Sequence, residues 1–215
     1  MGRMRRNAAT SARKAQTEAI TLVLISGIII ALVGVAYMWG RPMIEKRSVV
    51  TQFTSAVKFM EDLDSKIVGM AGSCSFEGAC EDSLVLPVPG LITLDEAANT
   101  ITYRFHVNQP LITKGEVLFN TIDNSTVARY GETPGVLSLT GNSTQGGLYE
   151  LIFTLRYREL DSDEPWRGYK IQLVKSGKAS GSSRISFSYG GSDTMQEAAR
   201  NNGDLILSKI EVQAL

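Results

Sequence analysis

The first pattern along the chain is an uncharged apolar run over residues 19–39, AITLVLISGIIIALVGVAYMW. In helical geometry, about 20 residues rise roughly 30 Å, which is the thickness of a bilayer's hydrocarbon core. Only a helix satisfies the backbone of a single segment in lipid. The run therefore predicts a transmembrane helix. A core helix of a soluble protein is the alternative, although the run is longer than the apolar stripe of an ordinary amphipathic helix.

A second helical pattern follows the run. Gly40 and Pro42 predict a kink or a brief break, because proline removes a backbone donor. A helix is then predicted over about residues 43–70, with a stop near Gly72. Its apolar stripe consists of Val50, Phe53, Val57, Met60 and Ile67, widened by Val49, Ala56, Leu63 and Met70. We expect this stripe to pack on the following domain or on a neighbouring helix.

From Leu84 onwards the apolar period changes to two, which is typical of strands with one buried face. The alternating stretches are 101–107, 151–157, 169–173, 185–189 and 210–214, and turn residues such as Pro89-Gly90, Ser176-Gly177 and Asn202-Gly203 separate them. A short helical turn is expected over residues 194–200. The chain is thus predicted to be α+β, with a long N-terminal helix and an antiparallel sheet or sandwich of about seven to nine strands.

The charge distribution orients the predicted span. The chain carries 22 basic and 22 acidic residues, and five of the basic ones precede the span with no acid among them: Arg3, Arg5, Arg6, Arg13 and Lys14. The positive-inside rule keeps this leader in the cytoplasm and sends the rest outward. Without those five, 17 basic residues face 22 acidic ones, a formal charge of −5. An acidic exterior without a basic cluster argues against nucleic acid as a partner.

The two cysteines, Cys74 and Cys80, are only a few residues apart. Outside the membrane such a pair favours a disulfide over two free thiols. A metal site is disfavoured because there is no second cysteine pair and His106 is the sole histidine. With no nucleophile motif and no dinucleotide-type glycine pattern, the sequence predicts no catalytic site, no metal and no cofactor.

Lys14 and Ala15 stand just before the apolar run, and no Ala-x-Ala site follows it. This junction resembles the class III signal peptide of archaeal type IV pilins. The resemblance implies that a prepilin peptidase cuts after Ala15, so that Gln16 becomes the first mature residue. It also implies that the apolar helix stays on the protein and packs with copies of itself. Glu18 would be the acidic residue near the new N-terminus, where the free amine of a neighbouring Gln16 would meet its carboxylate in apolar surroundings. Alternatively, Glu18 simply reaches into the inner headgroups.

The resemblance divides the chain into a cleaved leader (1–15), a membrane and filament-core helix (16–40), an amphipathic extension (41–72) and an extracellular β-rich domain (73–215). It implies a major or minor subunit of a surface filament with a role in adhesion. The expected partners are the membrane, other copies through the N-terminal helices, the prepilin peptidase and a pilus assembly platform. The alternative is a single-pass anchored binding or envelope-assembly protein that does not polymerise.

Two sequons complete the predicted features. Asn124-Ser125-Thr126 and Asn142-Ser143-Thr144 both fit the N-glycosylation acceptor pattern, and both are predicted to lie in turns of the exterior. Asparagine is also a common turn residue, so each match is equally compatible with an unmodified turn.

Overall fold

The computed structural model describes residues 3–74, 80–111, 115–120, 124–144, 147–163, 166–199 and 203–215, with only the backbone given for 3–19 and 163. Within these residues the chain forms one helix, α1 (Arg3–Ser73), and 12 strands. The strands are β1 (Glu81–Val85), β2 (Leu91–Asp95), β3 (Thr100–Val107), β4 (Glu116–Leu118), β5 (Val127–Arg129), β6 (Gly135–Ser143), β7 (Tyr149–Tyr157), β8 (Glu159–Asp163), β9 (Trp166–Lys175), β10 (Ser180–Gly181), β11 (Arg184–Met195) and β12 (Asp204–Ala214). The fold is α+β, as the sequence predicts.

The chain forms two compact units, Met1–Ser48 and Val49–Leu215. In the described residues the first unit is helical throughout, and the second contains the C-terminal part of α1 together with every strand. From Val49 onwards, the amphipathic part of the helix therefore belongs to the same compact unit as the strands.

Pro42 does not interrupt the helix. The predicted break is wrong, because α1 continues through this residue. A proline removes one donor from the hydrogen-bond ladder, and the turns on either side can hold the remaining bonds. The end of the helix is predicted closely, since α1 stops at Ser73.

The strands form two six-stranded sheets. Sheet one has the order β1-β11-β12-β9-β8-β5, and sheet two has the order β10-β2-β3-β7-β6-β4. All pairs in sheet two are antiparallel. Sheet one is mixed, because β12 runs parallel to β9 and β5 runs parallel to β8. The predicted antiparallel pairing therefore holds throughout sheet two and for the other three pairs of sheet one.

One hydrophobic core joins the helix to both sheets. Phe53 of α1 lies 6.0 Å from Phe153 of β7, and Phe59 lies 5.5 Å from Tyr103 of β3, measured between ring centroids. The same core holds buried residues of sheet one: Ile171, Leu173, Ile185, Phe187, Ile210, Val212 and Ala214. Burying each large side chain contributes roughly 1.5–3 kcal/mol relative to exposure.

Most of the predicted helix stripe is in this core. Val49, Ala56, Met60, Leu63, Ile67 and Met70 are buried, and Phe53 and Val57 are half-buried. Val50 is an exception, with half of its surface exposed. Phe59, which the predicted stripe omits, is buried.

The alternating stretches all become strands, but three local predictions are wrong. The described residues contain 12 strands, because short edge strands such as β4 and β5 carry little periodic signal. Thr194 and Met195 are the last two residues of strand β11, so they do not start the predicted helical turn. Asn142 lies within β6, opposite Glu150 of β7, so this sequon is not in a turn.

Candidate functional site: an exposed apolar helix segment

The largest exposed apolar surface in the described residues belongs to α1 between Ile20 and Trp39. Every side chain in this stretch is exposed, and Ile30, for example, exposes 72% of its surface. Within the described residues, α1 is the one helix, and it is long and apolar enough to cross a membrane. Soluble monomers rarely leave a continuous apolar patch of this size in water.

The segment requires an apolar environment. Each large aliphatic side chain left in water forgoes roughly 1.5–3 kcal/mol relative to burial, and the segment contains many of them. Lipid supplies that environment, and so does a bundle of similar helices. The helix is therefore compatible with single-pass membrane anchoring.

The few polar side chains within the segment suit a lipid surrounding. The Ser26 hydroxyl donates to the Val23 carbonyl at 2.8 Å, which satisfies it within the helix. Tyr37 and Trp39, at the C-terminal end, are both exposed and match the interfacial belt of aromatic residues. Just beyond them, Arg41 and Glu45 form an ion pair at 2.9 Å, where charge returns to the helix surface.

Two glycines leave open space along the segment. A Cβ atom placed on Gly27 or on Gly34 would meet no other atom within 4 Å. Seven residues amount to nearly two turns, so the two glycines lie on the same side of α1. Small residues on one side let a second helix backbone approach closely.

The residues of the predicted processing site belong to the backbone of α1. Lys14, Ala15, Gln16 and Glu18 are helical, and their side chains lie outside the described part of the structure. The cleavage site and the role of Glu18 therefore stay predictions.

The predicted disulfide is present. Cys74 and Cys80 are bonded to each other, with their Cα atoms 6.0 Å apart. Cys74 is buried directly after α1, and Cys80 is half-buried directly before β1. The bond thus joins the end of the helix to the start of the first strand.

The two sequon asparagines differ in their surroundings. Asn124 is exposed in a loop, but its amide is engaged: the carbonyl oxygen accepts from Arg156 Nη2 at 2.8 Å, and the nitrogen donates to Glu116 Oε2 at 3.4 Å. Asn142 is exposed near the end of β6. No contact distinguishes either residue as modified, so glycosylation stays a prediction at both.

Sequence reasoning missed a half-buried acid, Asp64, on the side of α1 that faces sheet two. Asp64 of α1 packs against Gly135 of β6 so closely that a Cβ on that glycine would lie 2.1 Å from the carboxylate. Asp64 Oδ1 and the Tyr157 hydroxyl oxygen are both buried. Burial raises the pKa of Asp64, an effect that the adjacent Tyr157 hydroxyl partly offsets. One signal was available, because Asp64 directly follows Leu63 and is four residues after Met60 on the buried side.

His106 is exposed on β3, opposite Glu150 of β7. In the described residues, no group of three or more His, Cys, Asp and Glu side chains is placed to hold a metal ion. Comparison with protein-family models, curated proteins and solved structures gave no match. The features of the chain that bear on its function are therefore the apolar segment and the residues next to it.

Proposed function

We propose that this chain is a structural subunit, major or minor, of an archaeal type IV pilus-like surface filament. The supporting observation is the exposed, uncharged segment Ile20 to Trp39, which continues as α1 into the core of a β unit. Before assembly the segment lies in the lipid bilayer, and after assembly it packs against copies of the same helix. The β unit then forms the filament exterior and makes the contacts with surfaces or cells.

The residues before the segment support cleavage and assembly. Lys14-Ala15-Gln16 matches the basic-small pattern of a class III signal peptide, with its basic leader on the cytoplasmic side. After cleavage, Gln16 carries a free amine two residues from Glu18. A carboxylate among apolar helices is costly unless a cation meets it. Pairing of Glu18 with the amine of a neighbouring subunit would set the axial stagger between subunits.

Electron microscopy of host cells and of sheared surface material tests the proposal. Labelling directed against this protein should decorate the filaments. Glu18→Gln should reduce the number of filaments per cell at least severalfold while the protein still reaches the membrane. Glu45→Gln is the matched control, because Glu45 is an exposed helix acid beyond the apolar segment. That variant should assemble normally.

Two outcomes would contradict parts of this proposal. Protein that stays in the cell membrane and never labels a filament would favour the non-polymerising anchored receptor or envelope-assembly factor. Normal filaments from Glu18→Gln would remove the ion pair from the assembly mechanism.

A further inference from the structure

A groove of about 380 Å³ opens in the β unit beside the C-terminal end of α1. Val68 and Ala71 of the helix form one wall, and Leu160 and Ile171 of sheet one form another. Tyr130 and Tyr169 complete it. The groove lies wholly within the second compact unit and does not involve the apolar segment. Its volume suits a small ligand and is at the lower end of ligand pockets in proteins.

The two tyrosines form a positioned aromatic surface. Their ring centroids are 4.9 Å apart, and Tyr130 nevertheless exposes 62% of its surface. A tight turn holds Tyr130: its N–H donates to the Asp161 carbonyl at 2.8 Å, and the Glu132 N–H donates to the Arg129 carbonyl at 3.1 Å. Gly131 supplies the positive φ of 97° that this turn requires. The ring is therefore held at the groove with little freedom to lose on binding.

Apart from Lys170, the polar side chains that line the groove in the described residues are neutral or acidic. They are the tyrosine hydroxyls, the Ser208 hydroxyl and the Glu132 carboxylate, which accepts from Arg158 Nη2 at 3.4 Å and stays half-exposed. Lys170 also borders the groove. It lies between Tyr169 and Ile171 on β9, so its side chain points to the opposite face of the sheet. Among the described residues that line the groove, an anionic ligand would thus meet an acid and no facing cation.

We propose that this groove binds a neutral sugar of the hexose class. A hexose offers an apolar face of C–H groups, which packs on an aromatic ring, and a rim of hydroxyls. Tyr130 supplies the ring, while the Glu132 carboxylate and the hydroxyls of Ser208 and Tyr169 supply hydrogen-bond partners. The inference goes beyond the filament proposal, because it holds equally for an anchored domain that never polymerises.

Other small ligands fit these groups less well. A fatty acid would match the aliphatic walls, but it would place its carboxylate near that of Glu132. A nucleotide or another phosphate would lack a cationic partner. Binding of a fatty acid in place of a sugar at this groove would therefore contradict the proposal.

Saturation-transfer NMR on the full-length protein in lipid nanodiscs tests the sugar site directly. Nanodiscs are needed because detergents with sugar headgroups would compete. The probes are the methyl glycosides of glucose, galactose and mannose, together with N-acetylglucosamine. Ligands of this size bind with a Kd of about 1–10 mM in a site of ordinary efficiency. At least one probe should show saturation transfer, and titration should give a Kd in that range.

Matched variants locate the site. Tyr130→Ala should weaken binding about tenfold, which is the upper range for losing one aromatic contact. Tyr130→Phe should bind within about threefold of the parent, because it keeps the ring. Trp166→Ala is the control, since Trp166 is another exposed aromatic residue of sheet one that does not line the groove. The midpoint temperature of thermal unfolding should be the same for each variant as for the parent. That result would show that the fold is intact.

Four results would overturn the sugar site. The first is no transfer from any of the four probes at about 20 mM. The second is binding that Tyr130→Ala leaves unchanged, and the third is binding that Trp166→Ala abolishes. The fourth is decanoate binding that Tyr130→Ala removes while the sugars do not compete.

Discussion

At the scale of single residues, Asn99 joins the two sheets. Its side chain is buried, and its Nδ2 donates to the carbonyls of Tyr157 in β7 and Ile171 in β9. Its Oδ1 accepts from the Leu173 N–H at 2.8 Å. The residue also has a positive φ of 55°, which asparagine tolerates better than most residues. Three buried backbone groups therefore depend on one amide.

Asn99→Ala should lower the free energy of unfolding by about 3–5 kcal/mol, because it leaves buried backbone groups unpaired and puts alanine at a positive φ. Asn99→Gly should be less destabilising by roughly 1 kcal/mol, since glycine removes only the backbone strain. Urea denaturation measures both. Asn108→Ala, at an exposed asparagine, should change stability by less than about 0.5 kcal/mol. A loss below about 1 kcal/mol for Asn99→Ala would contradict the assigned role.

Asp64 makes stability depend on pH. Burial raises the pKa of this carboxyl above its value in the unfolded chain. Ionisation therefore costs more in the folded protein, and stability falls as pH rises from the unfolded pKa through the folded one. Asp64→Asn should be more stable than the parent at pH 7, and the advantage should shrink towards pH 4. Urea denaturation across this range tests it.

The control for this pH series is Asp62→Asn, at an exposed position of the same helix. It should show no comparable pH-dependent gain. An Asp64→Asn stability change that is constant from pH 4 to pH 7 would show that the buried carboxyl does not titrate in this way.

These two residues mark a limit of sequence-based prediction. The stripe of α1 is predictable because its period is local, so Met60, Leu63 and Ile67 could be placed in the core. Asn99 looks like any turn asparagine, because its partners Tyr157 and Leu173 are more than 50 positions away along the chain. The spacing of Asp64 from Met60 indicates the buried side of α1, but the sequence does not reveal that Gly135 and Tyr157 face this carboxyl.

At the scale of elements, the disulfide ties the end of α1 to the start of β1. Cys74→Ala together with Cys80→Ala should lower the free energy of unfolding by about 2 kcal/mol, the chain-entropy value for so short a loop. Each single variant should already show most of this loss, since either one removes the bond. Chemical denaturation of the oxidised parent and the variants measures it. An unchanged midpoint in the double variant would show that the bond does not contribute to stability.

The strands illustrate which elements can be predicted. Alternation finds β3 and β7, whose buried residues recur at every second position, and the part of β9 around Ile171 and Leu173. It does not reveal that β9 pairs with β12 in parallel, because that pairing depends on contacts between distant segments. Short edge strands such as β5 are set by their neighbours rather than by their own pattern.

At the scale of the whole molecule, two compact units imply two different environments. The described helix of the first unit exposes an apolar surface, while the second unit buries its apolar residues in one core. Hydropathy locates the exposed apolar segment, whereas the division between the units, after Ser48, falls within the predicted amphipathic extension 41–72. The groove beside Tyr130 was not predictable, because its walls come from five separate stretches of the chain.

Intact-mass spectrometry of the protein isolated from its native host tests the central claim most directly. The filament account predicts that the mature chain begins at Gln16, without residues 1–15, and retains the apolar segment. Ala15→Leu should block this processing, whereas Ala12→Leu, a matched change within the leader, should leave it intact. A mature protein that keeps residues 1–15, or one cut after Trp39, would contradict the account.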